Sequence, residues 1–402
     1  MSRKSDKAEQ ATRLVLAGRR SEWTGAVVNP PVWRASTHLY EDSADLARGR
    51  ANADGEFYYG RRGAPTQWAL AEALTELEPG AAGTVLYPSG VAAIAGAFLS
   101  VLRAGDVLLI TDNAYHPSRA MADGLLKRFG VETRYFDPLD PEGFPALFCD
   151  RTRAVLFETP GSQTMEICDI PALAAIARER GAASLIDNTW ASALGFPALE
   201  RGCDMSIMAL TKHVGGHSDL MMGSVSATQD HYRKLRLTSQ SLGQIVSPDD
   251  AALALRGLRT LGLRLEKESA SALKIAQWLS ARPEIAHVLC PMLPGAPGHD
   301  LWKRDFTGGC GLFSIIFKGR DEAARARFMD ALRLFGIGYS WGGFESLVIP
   351  VDPAGLRSVT SWPPPGWDGN DRLGIRLSIG LEDPDDLIRD LERGLQAMEQ
   401  GR

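Results

Sequence analysis

Between Thr66 and Ala227 short apolar runs alternate with stretches of helical periodicity, and few architectures can bury such a pattern. The periodicity predicts a helix over Thr66–Leu77 and a strand at Thr84–Tyr87 that runs into Pro88-Ser89-Gly90. A helix over Val91–Leu102, a strand at Val107–Thr111 and a helix around Ser118–Phe129 follow. Further strands are expected at Thr133–Phe136 and Ala154–Glu158, then a helix at Ile170–Arg180 and a strand at Ser184–Ile186. The run Ser206-Ile207-Met208-Ala209-Leu210 and the stretch MMGSVSA at 221–227 close the series. Strands alternating with helices imply an α/β unit with a mostly parallel sheet covered on both faces. Connections in such a sheet are right-handed, and ligands gather at the carboxyl ends of its strands.

Outside this region the pattern changes. From Asp249 a long amphipathic helix is expected over Ala251 to about Leu279, broken near Gly262. The strand-like runs GLFSIIF and GIRLSIG, with helices at Asp321–Leu334 and Pro384–Met398, predict a smaller α+β C-terminal domain. Residues 1 to 63 read as an extended arm, because NPPVWRASTHLY resists helix and FYYGRRGAP is punctuated by glycine. The expected units are therefore 1–63, 64–257 and 258–402, and a chain of 402 residues is too long for one growing core.

Bulk properties exclude several classes of function. A net charge of −5, with no basic stripe, argues against a nucleic-acid surface. The longest apolar run, Val91 to Leu102, is interrupted by Gly96 and Ser100 and suits a core helix, not a membrane span. The N-terminus lacks the pattern of a secretory signal. The cysteines at 149, 168, 203, 290 and 310 form no CxxC pair, as expected of reduced thiols in a cytoplasmic protein. His213 and His217 flank a glycine turn without a third ligand, so no metal is expected.

Three features converge on the strand ends. In YPSGVAAIAG a glycine at a strand-to-helix corner lets the backbone approach an anion at the helix N-terminus, although such a corner is by itself commonly only a capped turn. In LIDNTW, Asp187 ends an apolar strand, and in MALTKHVGGHSD, Lys212 follows the next one. An anion cradle, a carboxylate and a lysine at one sheet edge match pyridoxal 5'-phosphate, which has a phosphate, a ring nitrogen and an aldehyde that bonds a lysine amine.

The motifs TKHVGGHSDLMMG, FYYGRRGAPT, IDNTWA, RGLRTLGLRL, KRDFTGGCGLFS, YSWGGFESL and IRLSIGLEDPDDLI occur in order from about residue 25 to the C-terminus. Through them the chain resembles the pyridoxal-phosphate-dependent enzymes of cysteine and methionine metabolism, of the aspartate-aminotransferase-like fold type I. The resemblance implies that Lys212 holds the cofactor and serves as acid and base, and that Asp187 pairs with the ring nitrogen. Tyr115 would stack on the ring; Gly90 and Val91 would bind the phosphate through backbone N–H groups, helped by Thr211. Tyr59 and Arg61 would reach the phosphate of a neighbouring subunit in a homotetramer of dimers with shared active sites. Arg376 would grip the substrate's α-carboxylate as a planar fork, with Tyr339, Ser340 and Trp341 lining the same pocket.

In γ-acting relatives the positions of Tyr339 and Trp341 are often glutamate and leucine; two aromatics here favour cleavage of a Cβ–S bond, most of all that of cystathionine. The resemblance leaves γ-cleavage, γ-synthesis or a broader cysteine-S-conjugate substrate as alternatives, and a non-catalytic binding protein on the same fold as a further one. Two departures stand out: Gln240 occupies a position that is tyrosine in the β-cleaving branch, and ETPGSQT lacks an asparagine that many members place beside the cofactor's hydroxyl. SWPPPGWDG at 361–369 reads as a proline-stiffened surface loop.

Overall fold

The computed structural model describes residues 9–49 and 55–399; the remaining parts of the expected arm and the last three residues lie outside the described residues. Seven strands form the larger sheet: Gly83–Tyr87 (β1), Val107–Thr111 (β2), Glu132–Phe136 (β3), Thr152–Glu158 (β4), Ala183–Asp187 (β5), Met205–Met208 (β6) and Gly223–Ala227 (β7). Their order is β1-β7-β6-β5-β4-β2-β3. Strands β2 to β6 pair in parallel, and β7 runs antiparallel to both β1 and β6. The mostly parallel sheet of the α/β expectation is present.

Burial alternates along each central strand. In β2, Leu108 and Ile110 face the helix Gly90–Val101 through Ile94 and Phe98, while Val107 and Leu109 join the opposite core with Leu70 and Leu173. Both faces are dry, which is why VLLIT is a continuous apolar run and not an alternating one.

The second sheet comprises Ile285–Leu289 (β8), Leu312–Phe317 (β9), Gly336–Ile337 (β10), Leu347–Val351 (β11) and Gly374–Ser378 (β12), in the order β10-β11-β12-β9-β8. Only β10 and β11 pair in parallel. The helix Pro384–Glu399 turns Leu387, Leu391, Leu395 and Met398 inward and packs along Glu322–Asp330 and Leu261–Ser280.

Several boundaries differ from expectation for identifiable reasons. The region read as an extended arm contains the helices Gln10–Leu16, Ser21–Thr24 and Ser43–Gly49, and Leu14, Ala17 and Trp23 are buried. The first two helices are set by docking against Pro65–Leu77 and not by local periodicity, whereas Ser43–Gly49 buries no residue. The long helix is two, Pro248–Leu258 and Leu261–Ser280, with the break at Arg259-Thr260, close to the Gly262 of the expectation. There the guanidinium of Arg264 takes the Gly257 carbonyl at 2.8 Å. The expected Ser118–Phe129 helix ends as an α-helix at Met121 and continues as a π-turn over Ala122–Leu126. SWPPPGWDG is not a free surface loop: Trp367 stacks on His287 with centroids 3.3 Å apart, and Trp362 packs against Trp367.

The segment Ser358–Thr360, just before that loop, is tied to the first sheet by one carboxylate. Asp112, fully buried beyond β2, accepts from the backbone N–H groups of Ser358, Val359 and Thr360, the Thr360 hydroxyl and the Arg119 guanidinium. Burial pushes its carboxyl up, but the bonds from Thr360, Val359 and Arg119 outweigh burial and hold it below the ordinary range. The stability this supplies is full above the unfolded value near 4 and is lost as pH falls through the lowered folded value. Asp112→Asn leaves the buried Arg119 without its carboxylate and is expected to cost about 3–5 kcal/mol in denaturant unfolding at neutral pH.

Candidate active site

The strand register aligns the expected site. Tyr87 pairs with Gly223, Met208 with Ser224, Ile207 with Asp187, and Asp187 with Glu158, so the carboxyl ends of β1, β6, β5 and β4 lie along one edge. Lys212 follows β6 in a tight turn held by bonds from Gly215 N to Leu210 O and Gly216 N to Lys212 O. The helix Pro248–Leu258 presses on this turn at Gly257, where a Cβ would lie 2.2 Å from the Val214 carbonyl oxygen. Gly257→Ala is therefore expected to cost about 1–3 kcal/mol in thermal or denaturant unfolding, because backbone has to move.

The helix Gly90–Val101 begins at the same edge. Ser89 accepts from Ala92 N on its hydroxyl and from Ala93 N on its carbonyl, while the Gly90 and Val91 amides lie at the open helix end. Side chains would block the approach: a Cβ at Gly90 would lie 2.8 Å from Ala209 Cβ, and one at Gly223 2.4 Å from Ser89 O. Thr211 spends its hydroxyl on the neighbouring loop, donating to Met222 O at 3.1 Å and accepting from Met222 N at 3.0 Å.

Asp187 is partly accessible at the end of β5. Its Oδ1 accepts from the Thr189 hydroxyl at 2.5 Å and the Thr189 N–H at 3.1 Å, and Thr189 in turn accepts from Ala209 N. Burial raises its pKa, against the opposing pull of Thr189 and the Lys212 charge. Glu158 stands beside it, and burial followed by the Asp187 charge pushes its carboxyl well up. Its Oε2 accepts from the Tyr115 N–H at 2.6 Å. Sequence reasoning missed both Glu158 and Thr189, although an acid ending an apolar strand and a hydroxyl two residues past Asp187 were available signals.

Lys212 Nζ donates to the Ser340 hydroxyl at 2.7 Å and sits 5.4 Å from the centre of the Trp341 ring. Burial and then the charge of Arg376 lower its pKa to about 8, despite the attraction of Asp187. At pH 8 about half of these amines are neutral, against about 1 in 250 at the ordinary value.

Arg376, in the middle of β12, is 8% exposed and donates to Ser340 O at 3.3 Å. Burial lowers its pKa to about 10, with Tyr115 and Tyr339 opposing, so it stays charged at neutral pH. Among the described residues no carboxylate is paired with it. Tyr115 feels the same cleft: burial raises its phenol, Asp187 and Glu158 add to the rise, and Arg376 opposes it. The structure thus brings together Lys212, Asp187, Tyr115, Ser340, Trp341 and Arg376, with Tyr339 exposed at the rim.

Tyr59 and Arg61 lie elsewhere. Tyr59 is exposed, and Arg61 donates to the backbone oxygen of Gln240 at 3.1 Å. Arg61 and Gln240 line a groove of about 940 Å³ together with Arg62, Tyr232 and Arg236, and neither Lys212 nor Asp187 borders it. Among the described residues no group of three or more His, Cys, Asp and Glu could hold a metal ion. His217 turns back on Gly215 O, and His213 faces the interior.

The residues at the sheet edge fit pyridoxal 5'-phosphate on their own chemistry: an open helix end bordered by glycines that a Cβ would close, a half-buried carboxylate, and a lysine with a lowered pKa. Comparisons with known proteins agree. The family model described as "Cys/Met metabolism PLP-dependent enzyme" matches residues 11–396. Cystathionine beta-lyase MetC of Escherichia coli is 43% identical over 387 residues, 95% of this chain and 97% of that one. Cystathionine beta-lyase of Salmonella typhimurium is also 43% identical, over the same shares. The crystal structure of metB from Corynebacterium glutamicum superposes with a TM-score of 0.87 at 31% identity, covering 97% of this chain and 98% of that one. The chain belongs to the pyridoxal-phosphate-dependent enzymes of cysteine and methionine metabolism.

Proposed function

We propose that the chain is a carbon–sulfur lyase that cleaves L-cystathionine to homocysteine, pyruvate and ammonia. The observation that carries this reading is Lys212 between Ser340 and Trp341, beside a buried arginine that has no acidic partner among the described residues. Arg376 takes the α-carboxylate and fixes Cα beside the Lys212 amine. Pyridoxal phosphate, once bound, supplies the electron sink for the charge left at Cα. Asp187, held by Thr189, keeps the ring nitrogen protonated. Neutral Lys212 removes the Cα proton and returns a proton to the departing sulfur, so the Cα–H and Cβ–S bonds break and the thiol leaves. The remaining three-carbon unit takes up water and yields pyruvate and ammonia.

Cleavage at Cβ is favoured over Cγ because Tyr339 and Trp341 offer no carboxyl for a second proton transfer at Cβ, and because relatives at 43% identity carry the β-lyase name. The other assignments of this reading are that Gly90, Val91 and Thr211 receive the phosphate and that Tyr115 covers the ring. Tyr59 and Arg61 would serve the neighbouring subunit, in a cytoplasmic homotetramer. Their separation from Lys212 in one chain and the five free cysteines support those assignments. The units 1–63, 64–257 and 258–402 would then be arm, cofactor domain and substrate-closing domain.

The test is the keto acid released from L-cystathionine. Pyruvate with a stoichiometric thiol is expected; 2-oxobutyrate would assign the γ-cleaving alternative, and no keto acid at all a binding protein.

A further inference from the structure

We propose that His213 and Glu268, buried beneath the cleft, form a positioning pair that sets the Ser340–Gly342 turn and thereby the grip on the substrate's carboxylate; the inference rests on the amino-acid lyase reading above. His213 is 2% exposed and Glu268 fully buried. His213 Nδ1 lies 3.4 Å from Glu268 Oε2, within ion-pair range but off the hydrogen-bond line, and neither residue's side-chain polar atoms find a hydrogen-bond partner among the described residues. Glu268 comes from the helix Leu261–Ser280, whose Arg264, one turn earlier, is buried against Gly216 of the Lys212 turn.

Such a pair is a poor source of stability. Taking an imidazole and a carboxylate out of water is costly, and apolar residues of similar volume commonly do as well or better. The position of the pair suggests another task. The imidazole meets Trp341 edge-on, with centroids 5.2 Å apart and planes at 62°. It also abuts the next residue of the turn so closely that a Cβ at Gly342 would lie 2.9 Å from Nδ1.

The turn resting on that ring is unfavourable by itself at Ser340, a non-glycine residue with φ of +86°, whereas Gly342 takes its φ of +76° freely. It also carries both polar contacts of the substrate pocket: Ser340 accepts from Lys212 on its hydroxyl and from Arg376 on its carbonyl. A ring oriented by Glu268 therefore fixes, through one turn, the spacing between the amine that moves the proton and the fork that holds the carboxylate. Neither His213 nor Glu268 touches substrate in this arrangement.

The experiment uses holoenzyme and the double variant His213→Phe/Glu268→Leu, an apolar pair of similar volume. Binding of L-alanine, which has the carboxylate and amine but no leaving group, is followed by the change in cofactor absorbance; KM and kcat are measured with L-cystathionine. The expected result is a Kd for L-alanine and a KM each raised about tenfold, with kcat lowered less than about threefold, as for a slightly misplaced binding group. Glu268→Gln, which still offers Nδ1 an amide, is expected to raise both about threefold only. Wild-type Kd and KM in a folded double variant would overturn the proposal and leave the pair a packing feature. If the double variant does not fold, Glu268→Gln decides alone, and an unchanged Kd overturns it. Wild-type enzyme that binds L-alanine but releases no keto acid from cystathionine would remove the substrate reading, while the L-alanine Kd values still decide this inference.

Discussion

Lys212→Ala is expected to lower turnover of L-cystathionine by about 10⁴-fold, the upper end for loss of a positioned acid–base group, while the chain keeps its fold. Two observations make the effect this large. Lys212 is the amine at the junction of β6, Ser340 and Trp341, and its lowered pKa of about 8 gives it an appreciable neutral fraction near physiological pH. The nearby carboxyls cannot replace it: Asp187 is held by Thr189, and Glu158 is engaged by the Tyr115 backbone. Stability moves little, since the lost bond to Ser340 is offset by relief of a half-buried cation facing Arg376. In the cofactor-free chain the unfolded lysine keeps its proton to about pH 10.4 while the folded one releases it near 8. The wild type therefore gains stability from this group as pH rises between those values, and the alanine variant does not. Steady-state kinetics, the visible absorbance of the purified protein and borohydride labelling check the set; retained turnover or retained labelling would remove Lys212 from its role.

The second large effect belongs to Arg376. Arg376→Ala is expected to reduce kcat/KM for L-cystathionine by about 10²–10³-fold, as when one partner of a buried, hydrogen-bonded charge pair is removed. Thermal stability should hold or rise, because among the described residues the buried guanidinium has the Ser340 carbonyl and the two nearby tyrosines to compensate it and no carboxylate. Arg376→Lys restores the charge but not the fork and should recover only part of the loss. A fall in stability with unchanged kcat/KM would mark Arg376 as a core residue and move the carboxylate site elsewhere.

Reading the strands from sequence worked where packing is symmetrical. Val107–Thr111 and Leu312–Phe317 are buried on both faces, so their apolar runs had no competing explanation. Leu347–Val351 escaped notice because an exposed proline, Pro350, interrupts its apolar run, and Gly336–Ile337 is too short and too exposed to leave one. The helices Gln10–Leu16 and Ser21–Thr24 were missed because Leu14 and Trp23 owe their burial to docking partners distant in the chain.

What the chain order alone determined is the location of the chemistry: Lys212, Asp187 and the Ser89-Gly90 corner each follow an apolar strand, and a parallel sheet has to bring such ends to one edge. Only the tertiary structure decided how those groups are tuned. Asp112 and the Ser358 backbone are 246 residues apart, Lys212 and Ser340 128 apart, and His213, in a turn, meets Glu268 on the helix Leu261–Ser280. Local sequence carries the free energy of forming strands and helices. The charge, burial and hydrogen bonds that shift a pKa or fix a turn act through space, between residues the chain order leaves unrelated.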